Sequence, residues 1–349
     1  MTATGRDPLL HLAGLGWRED LPAARAFAQA PAGRVARVSE QHRTGFRVCD
    51  GEREFPVQSP APWTRAGFPA EQRAVVGDFV RLEAERDQII EVLPRSSLFR
   101  RGAAGEHLKV QPIAANIDTV LVVTGLDGDF NPRRLERYLV LVRASGAEPV
   151  LVLTKLDRCD DAGALRARLS DIEAGGVPVV SVNAKEPDSV AALAPWLGSG
   201  RTVVLVGSSG AGKSTLTNTL MGRSRMRTGA VRERDSRGRH TTTHRTLMTL
   251  PQGACLIDTP GMRELKLTGE EDVADRVFED IEGLATGCRF RDCRHDAEPG
   301  CAVRAALAAG TLDPCRFNNY RKLQAEREAA AKVLAARQAA PQGRPRGPR

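Results

Sequence analysis

The sequence predicts a multi-domain protein with a small N-terminal β-barrel, a central α/β domain with a mainly parallel sheet, and a mostly helical C-terminal domain. Three observations support this. Short strands broken by Gly, Asp and Pro fill residues 33–93, apolar strands alternate with helices over residues 119–257, and a cysteine–histidine cluster follows at 288–301. With 349 residues, the chain exceeds the usual length of one domain.

Composition narrows the class of protein further. There is no apolar run long enough to cross a bilayer and no signal-peptide pattern, so we expect a cytoplasmic protein that does not enter membranes. The net charge is +8, with the basic excess concentrated after residue 286. That distribution favours a polyanionic partner, the alternative being a merely soluble basic surface.

We divide the chain at the points where its pattern changes. Residues 1–30 give no strong signal and are expected to form a loosely attached extension. The predicted units are the barrel at 31–97, the α/β domain at 98–265, the helical domain at 266–340 and a Pro-, Gly- and Arg-rich tail at 341–349. The composition of the tail predicts disorder.

The barrel is predicted from four short strands, at residues 33–38, 45–48, 76–82 and 88–93. An oligonucleotide-binding (OB) barrel is one interpretation. The other is a barrel that only packs against its neighbour, which the balanced charge of residues 31–95 leaves open.

The α/β domain is predicted from buried apolar runs that alternate with helices. The expected strands are 119–123, 149–153, 177–181, 202–206, 246–250 and 254–257. Helices are expected from Pro132, over 162–173 and 189–197, and from Lys213, with a further C-terminal helix at 318–337.

A glycine-rich segment, GSSGAGKS, follows the strand at 202–206 and fits the pattern G-x-x-x-x-G-K-[ST]. Such a loop points backbone N–H groups at phosphates, while Lys213 places a charge at the β/γ oxygens and Ser214 offers a hydroxyl to Mg²⁺. The predicted nucleotide-binding residues here are Gly207, Ser208, Ser209, Gly210, Ala211, Gly212, Lys213, Ser214 and Thr215.

A second phosphate-sensing element is predicted at the DTPG sequence, residues 258–261. Asp258 ends a strand, where a carboxylate can reach Mg²⁺ through water, and the Gly261 N–H can contact the γ-phosphate. Between the two elements, residues 236–244 fit a switch loop in which Thr242 or Thr243 joins Mg²⁺. The alternative is an ordinary polar connection.

Selection of the base is predicted from the TKLD sequence, residues 154–157. The Asp157 carboxylate can accept two hydrogen bonds from guanine, from N1–H and the exocyclic amine, which adenine lacks as a pair. Lys155 would stack its stem over the base, and Thr154 stands where GTPases usually have Asn. A second base-contacting loop is expected at Ser181, Asn183 and Ala184, the alternative being a plain strand-to-loop junction.

The order of these motifs is that of a permuted GTPase. TKLD precedes the phosphate loop, although it normally follows DxxG. The same site forms if the original ends are joined near residues 197–201 and the chain is opened after residue 261. The second switch then leads straight into the C-terminal domain, so loss of the γ-phosphate is predicted to reposition that domain.

The cluster Cys288-x₄-Cys293-x-His295-x₅-Cys301 supplies three thiolates and one imidazole, a set suited to one tetrahedral, structural Zn²⁺. Unligated cysteines are the alternative. The other cysteines, Cys49, Cys159, Cys255 and Cys315, are expected to be packing residues.

Together these motifs resemble the RsgA (YjeQ) family of ribosome small-subunit-dependent GTPases. The resemblance covers about residues 33–325 and includes Gly77-Asp78, Asn116-Ile117-Asp118, TKLD, GSSGAGKS, GRHTTT, DTPG and the metal cluster. It implies an OB barrel, a circularly permuted GTPase and a zinc domain that act in late maturation of the small (30S) ribosomal subunit. We then expect a monomer. Its expected partners are GTP and GDP with Mg²⁺, the small subunit and its rRNA.

Catalysis needs a group other than the usual glutamine, because Met262 follows DTPG. The resemblance points to His240 in GRHTTT, whose imidazole could position the attacking water. An exposed loop histidine is the alternative. We expect a GTPase stimulated by the subunit and released after hydrolysis. A nucleotide-sensing RNA-binding regulator with incidental turnover is the alternative, and Asp157 disfavours an ATPase.

Overall fold

The computed structural model describes residues 9–42, 45–65, 67–102, 110–222, 245–258 and 277–339. The strands are β1 (Arg34–Gln41), β2 (Phe46–Cys49), β3 (Glu54–Val57), β4 (Phe79–Leu82), β5 (Ile89–Val92), β6 (Leu98–Gly102), β7 (Val110–Ala115), β8 (Thr119–Gly125), β9 (Glu148–Thr154), β10 (Val179–Ser181), β11 (Thr202–Val206), β12 (Arg245–Thr249) and β13 (Cys255–Asp258). The α-helices are α1 (Pro22–Gln29), α2 (Pro132–Ala144), α3 (Ala162–Ala167), α4 (Ser170–Ala174), α5 (Pro187–Val190), α6 (Lys213–Leu220), α7 (Glu279–Ala285), α8 (Ala302–Ala308) and α9 (Pro314–Ala339). In these ranges no helix is both long enough and apolar enough to cross a membrane.

The N-terminal strands follow a closed order. β1 pairs antiparallel with β2 and β4, β2 pairs with β3, and β4 pairs with β5. A parallel bridge between Gln58 and Gln88 then joins the end of β3 to the start of β5, with the Ile89 N–H donating to the Gln58 carbonyl at 3.0 Å. Apolar side chains from these strands, including Val38, Val48 and Val80, form their own buried cluster.

The segment before β1 is packed against the rest of the chain. Leu12, in a 3₁₀ helix at Leu10–Leu15, is fully buried, and the Trp17 ring meets the Phe79 ring edge-on at 5.0 Å. Arg18 donates to both carboxylate oxygens of Asp118, at 2.8 and 3.3 Å. The expectation of a loosely attached extension is therefore wrong for residues 9–30, while residues 1–8 lie outside the described part.

The central sheet has the predicted parallel core. β10, β9, β8, β11 and β13 are adjacent and parallel in that order, and β12 adds an antiparallel strand beside β13. Valine, leucine and isoleucine fill these strands and divide between two buried clusters, as expected for a sheet covered on both faces. All six predicted strands are present.

One strand joins the barrel to this sheet. β12 pairs antiparallel with the end of β1, with Gln41 opposite Arg245, so that both units share an eleven-stranded sheet. Arg37 on β1 is 1% exposed and donates to Thr202 on β11 at 2.9 Å, to the Asn116 carbonyl at 3.2 Å and to the Gly77 carbonyl at 3.1 Å. A buried guanidinium thus satisfies one hydroxyl and two carbonyl oxygens from three segments at once.

The Gly77-Asp78 sequence has a structural role at the same junction. Gly77 has a φ of +92°, and a Cβ there would lie 2.3 Å from the Ala115 carbonyl oxygen, so only glycine fits. Asp78 is fully buried and accepts two 2.7 Å hydrogen bonds from Arg95. Asn116, the first residue of the Asn116-Ile117-Asp118 sequence, donates from its side-chain amide to the Gly77 carbonyl at 3.1 Å.

The long C-terminal helix α9 docks on α2 and also holds α7. Arg316, at the start of α9, is 6% exposed and donates to Glu136 at 2.5 Å and to Asp280 at 2.7 and 2.9 Å. A second, more exposed pair joins Arg137 to Glu326 at 2.6 and 2.7 Å. Burial raises the pKa of Glu136, although Arg316 acts in the opposite direction.

Several details differ from the sequence predictions. The strand β3 and the β6–β7 hairpin were not predicted. The helix expected at 162–173 is two short helices, α3 and α4, and the one expected at 189–197 is α5 followed by a 3₁₀ helix with Pro195 inside it. Cys315, expected to be a packing residue, is exposed on the first turn of α9.

Candidate nucleotide site and metal centre

The predicted nucleotide-binding residues in the described ranges meet at one edge of the sheet. They lie at the carboxyl ends of β9, β10 and β13 and in the loops that follow β9, β10 and β11, and the ends of these parallel strands lie side by side. Clefts at this edge are where open α/β sheets bind their ligands. The chain therefore brings the TKLD sequence, the second predicted base-contacting loop at residues 181–184 and the GSSGAGKS sequence together despite their separation.

The phosphate loop has the backbone that its glycines predict. Gly207 has a φ of +145°, and a Cβ there would lie 2.1 Å from the Val123 carbonyl oxygen on β8. Gly210 and Gly212 have φ values of +81° and +92°, in the left-handed region that favours glycine. Lys213 begins α6 as predicted, and its Nζ donates to the Gly207 carbonyl at 2.7 Å. The ammonium group is thus held over the loop that would receive the phosphates.

Ser214 and Asp258 are the two predicted magnesium ligands that lie in the described residues. Ser214 lies on the first turn of α6, and Asp258 ends β13, the strand beside β11. A hydroxyl and a carboxylate oxygen are suitable ligands for Mg²⁺, the carboxylate directly or through water. The other residues predicted to sense the γ-phosphate, Thr242, Thr243 and Gly261, lie outside the described residues, as do His240 and Met262.

The TKLD residues take different environments. Thr154 ends β9 fully buried, and Lys155 has a φ of +62°. The Lys155 Nζ is 2.5 Å from an Asp127 carboxylate oxygen. Asp157 is exposed enough to reach a ligand, and the Lys185 Nζ donates to its Oδ2 at 2.9 Å. This hydrogen bond is the main reason that the pKa of Asp157 is lowered, so the carboxylate stays ionised and able to accept from guanine.

The second predicted loop adjoins both motifs. Ala184 accepts a hydrogen bond from the hydroxyl of Thr219 on α6 at 2.6 Å, which ties this loop to the helix behind the phosphate loop. Asn183 donates from Nδ2 to Glu186 at 2.6 Å and accepts from the Lys185 N–H at 3.2 Å. Ser181, the last residue of β10, is half-buried. The loop is therefore positioned beside Asp157, with Asn183 contributing to its own turn.

Three charged residues of this site were missed by the sequence analysis. Lys185 pairs with Asp157, Asp127 pairs with Lys155, and Asp129 accepts a hydrogen bond from the hydroxyl of Ser208 in the phosphate loop. Both aspartates lie in the loop after β8, which no motif marks. Only its position at the carboxyl end of a parallel strand, next to the strand that carries TKLD, could have indicated it.

The four predicted metal ligands converge. The thiols of Cys288, Cys293 and Cys301 and a ring nitrogen of His295 all lie within 4.8 Å of one another. The Cys288 and Cys301 sulfurs are 3.8 Å apart, and His295 Nδ1 is 3.6 Å from Cys288 and 3.4 Å from Cys301. Metal–ligand bonds of about 2.3 Å to sulfur and 2.0–2.1 Å to nitrogen imply tetrahedral edges of about 3.8 Å and 3.5–3.6 Å. The residues therefore fit a four-coordinate cation.

The loop that carries these ligands is organised by Glu298. Its carboxylate accepts backbone N–H bonds from Arg294 at 2.9 Å, Asp296 at 2.9 Å and Ala297 at 3.1 Å. These bonds, chiefly the one from Arg294, lower the pKa of Glu298 to about 2. Desolvation, followed by the neighbouring thiols, raises the pKa of Cys293 to about 11. A bound cation would lower this pKa by stabilising the thiolate.

The fold and comparison with known proteins together identify the family of this chain. A phosphate loop after β11, with candidate base-reading residues after the earlier strand β9, defines a P-loop GTPase of circularly permuted order. Residues 92–268 match the family model of the RsgA GTPase, and the chain belongs to that family. It is a GTPase.

Curated relatives extend the match to almost the whole chain. The chain is 58% identical over 342 residues to a protein of Xanthomonas axonopodis pv. citri named small ribosomal subunit biogenesis GTPase RsgA, which covers 97% of this chain and 94% of the relative. A protein of the same name from Xanthomonas euvesicatoria is 59% identical over 332 residues, covering 93% and 91% of the two chains.

Solved structures share the fold. YjeQ from Thermotoga maritima is 25% identical with a TM-score of 0.61, covering 83% of this chain and 96% of that one. YloQ, described as a circularly permuted GTPase, is 24% identical with a TM-score of 0.58, covering 86% and 96%. The predicted permutation of the central domain is confirmed.

Proposed function

We propose that this chain is a late-stage assembly factor of the small ribosomal subunit, which it binds with GTP and leaves after hydrolysis. The convergence of the phosphate loop, Asp157 and Asp258 at one sheet edge carries the proposal, because together these residues would supply phosphate, base and metal contacts. The names of the Xanthomonas relatives support the choice of partner.

In the proposed site, Lys213 and the backbone of residues 207–215 hold the phosphates, and Asp157 accepts from the guanine N1–H and amine. Ser214 and Asp258, with Thr242 or Thr243, would hold Mg²⁺, which neutralises charge developing on the phosphate oxygens. His240 would position the attacking water, and Gly261 would contact the γ-phosphate.

The C-terminal domain is the proposed RNA-binding element, and its metal is proposed to be one structural Zn²⁺. Three thiolates and an imidazole are typical of zinc, and no position remains for water once four protein ligands bind. Between the ligands, Phe290 has 42% of its surface exposed and is flanked by the exposed residues Arg289, Arg291 and Arg294. Exposed aromatic and guanidinium groups together suit unpaired RNA, because bases stack on the ring and phosphates contact the arginines.

For the N-terminal unit we propose an OB barrel over residues 31–97, supported by the closed strand order β1-β2-β3-β5-β4 with parallel contact between β3 and β5. The remaining boundaries, 98–265, 266–340 and 341–349, are also proposals. We further propose a cytoplasmic location and a monomer, since the apolar clusters of the described residues are buried within one copy of the chain.

Turnover of GTP with and without purified small subunits, with ATP as control, tests the function. We expect the subunit to stimulate hydrolysis of GTP but not of ATP. Absence of stimulation would instead favour the nucleotide-sensing RNA-binding regulator, in which hydrolysis is incidental. His240→Ala should reduce stimulated turnover while GDP affinity and thermal stability stay unchanged; unaltered turnover would remove His240 from catalysis.

A further inference from the structure

Thr154 is the first residue of TKLD, and its hydroxyl is occupied inside the protein. The side chain is completely buried. Its Oγ1 donates to the Ala211 carbonyl of the phosphate loop at 2.5 Å, with the Thr124 carbonyl of β8 at 3.2 Å. Both partners are carbonyl oxygens, so each can only accept.

Hydrogen-bond chemistry then limits what Thr154 can offer a base. A threonine hydroxyl has one proton, and here a carbonyl accepts it. The guanine edge that carries N7 and O6 has acceptors alone, so it needs a donor from the protein. An asparagine amide, with two N–H groups, could bond the phosphate loop and the base together; a threonine with its proton on Ala211 cannot.

The same contacts give Thr154 another role. They join the loop that carries Asp157 to the loop that carries Lys213, and therefore set the distance between the base and phosphate subsites. Packing is close here as well, because a Cβ on Gly212 would lie 3.1 Å from Thr154 Oγ1. A change that releases this contact should weaken every guanine nucleotide alike, whatever atom stands at position 7.

We propose that Thr154 is a positioning residue that couples the base and phosphate subsites and leaves guanine N7 without a side-chain donor from TKLD. Selection of guanine then rests on the Asp157 carboxylate, which accepts from N1–H and the amine. The inference rests on the proposed nucleotide site, and it predicts tolerance of a base that lacks N7 but keeps the Asp157 contacts.

Calorimetric titration of the full chain with GDP and with 7-deaza-GDP, both with Mg²⁺, tests the first half. In the wild type the two dissociation constants should agree within about twofold, because no hydrogen bond is lost. A dissociation constant for 7-deaza-GDP about tenfold or more above that for GDP would overturn the proposal. If GDP itself does not bind, the proposed function fails first, and that outcome is distinct.

Two variants test the second half. Thr154→Val keeps the shape but removes the hydroxyl, so both nucleotides should weaken by about tenfold while their ratio stays near one. Thr154→Ser retains the hydroxyl and should restore both affinities. If the dissociation constant for 7-deaza-GDP exceeds that for GDP by more than about tenfold in the wild type, and this ratio falls towards one in Thr154→Val, the hydroxyl contacts N7 directly. If Thr154→Val binds GDP with unchanged affinity, the positioning role is refuted. Circular dichroism and apo-protein melting identify a variant that fails to fold; the Thr154→Ser and wild-type titrations then still decide.

Discussion

The buried ion pair that docks the C-terminal helix on the GTPase domain makes a quantitative prediction. Replacing Arg316 with Met leaves the Glu136 carboxylate buried without its cation, because both side chains are only 6% exposed. Removing one partner of a buried pair costs about 3–5 kcal/mol. The matched control is Arg137→Met, whose pair with Glu326 is 24% and 31% exposed and should contribute only about 0.2–1 kcal/mol.

Hydrogen exchange of the α9 amides measures this cost, because it reports the free energy of local opening. Arg316→Met should raise the population of the open state roughly a hundredfold to several thousandfold, and Arg137→Met less than about tenfold. Adding Glu136→Gln to Arg316→Met should recover much of the loss, since the buried group is then uncharged. Equal effects of Arg316→Met and Arg137→Met would refute the reasoning.

The effect also has a predictable pH dependence. Burial already raises the pKa of Glu136, and loss of Arg316 raises it further. A carboxyl whose folded-state pKa exceeds its unfolded value binds more protons when folded, so the docking of the variant strengthens as pH falls through that folded pKa. The difference from wild type should therefore be largest at alkaline pH and shrink as the pH falls through the raised pKa of Glu136. A difference independent of pH would mean that the lost contact with Asp280 dominates instead.

Three further predictions concern the ligand sites. Asp157→Asn should weaken GDP and strengthen xanthosine diphosphate, whose C2 oxygen accepts from the new amide, in calorimetric titration; unchanged preference for GDP would exclude Asp157 from base contact. Cys293→Ser should lower zinc content measured by mass spectrometry from one equivalent and increase proteolysis of residues 277–312, whereas full zinc retention would exclude this ligand. Phe290→Ala should weaken single-stranded RNA binding, followed by fluorescence anisotropy, by about 1–3 kcal/mol, with Phe290→Tyr near wild type and GDP affinity unaltered; equal RNA affinity in all three proteins would contradict stacking.

The sequence predicts the phosphate loop most accurately because local chemistry determines it. The apolar strand, the glycines with positive φ and the helix beginning at Lys213 each depend on adjacent residues, and the structure places β11 and the start of α6 at the predicted positions. The metal ligands are likewise marked by their types and spacing.

Contacts across the chain could not be predicted in this way. Arg37 reaches Thr202, 165 residues away, and Asp127 reaches Lys155, 28 residues away, so neither pair has a local signal. Strand β3 has only a weak sequence signal, because it is four residues long and contains Pro56, a residue that normally argues against a strand. The packing of the segment before β1 has no complete local signal either, since Trp17 contacts Phe79 of the barrel as well as the nearby Phe27.

The docking of α9 also constrains how the nucleotide can act on the C-terminal domain. The permuted order predicts that loss of the γ-phosphate repositions this domain through its covalent connection. Yet the described contacts fix α9 to α2, whose preceding loop meets Ser208 of the phosphate loop through Asp129. Inverting a docked state from 1:99 to 99:1 requires about 5.5 kcal/mol of differential binding. Nucleotide exchange would have to supply this difference while Arg316 separates from Glu136 and both ions return to water, and new contacts with the ribosomal partner are a second source of it.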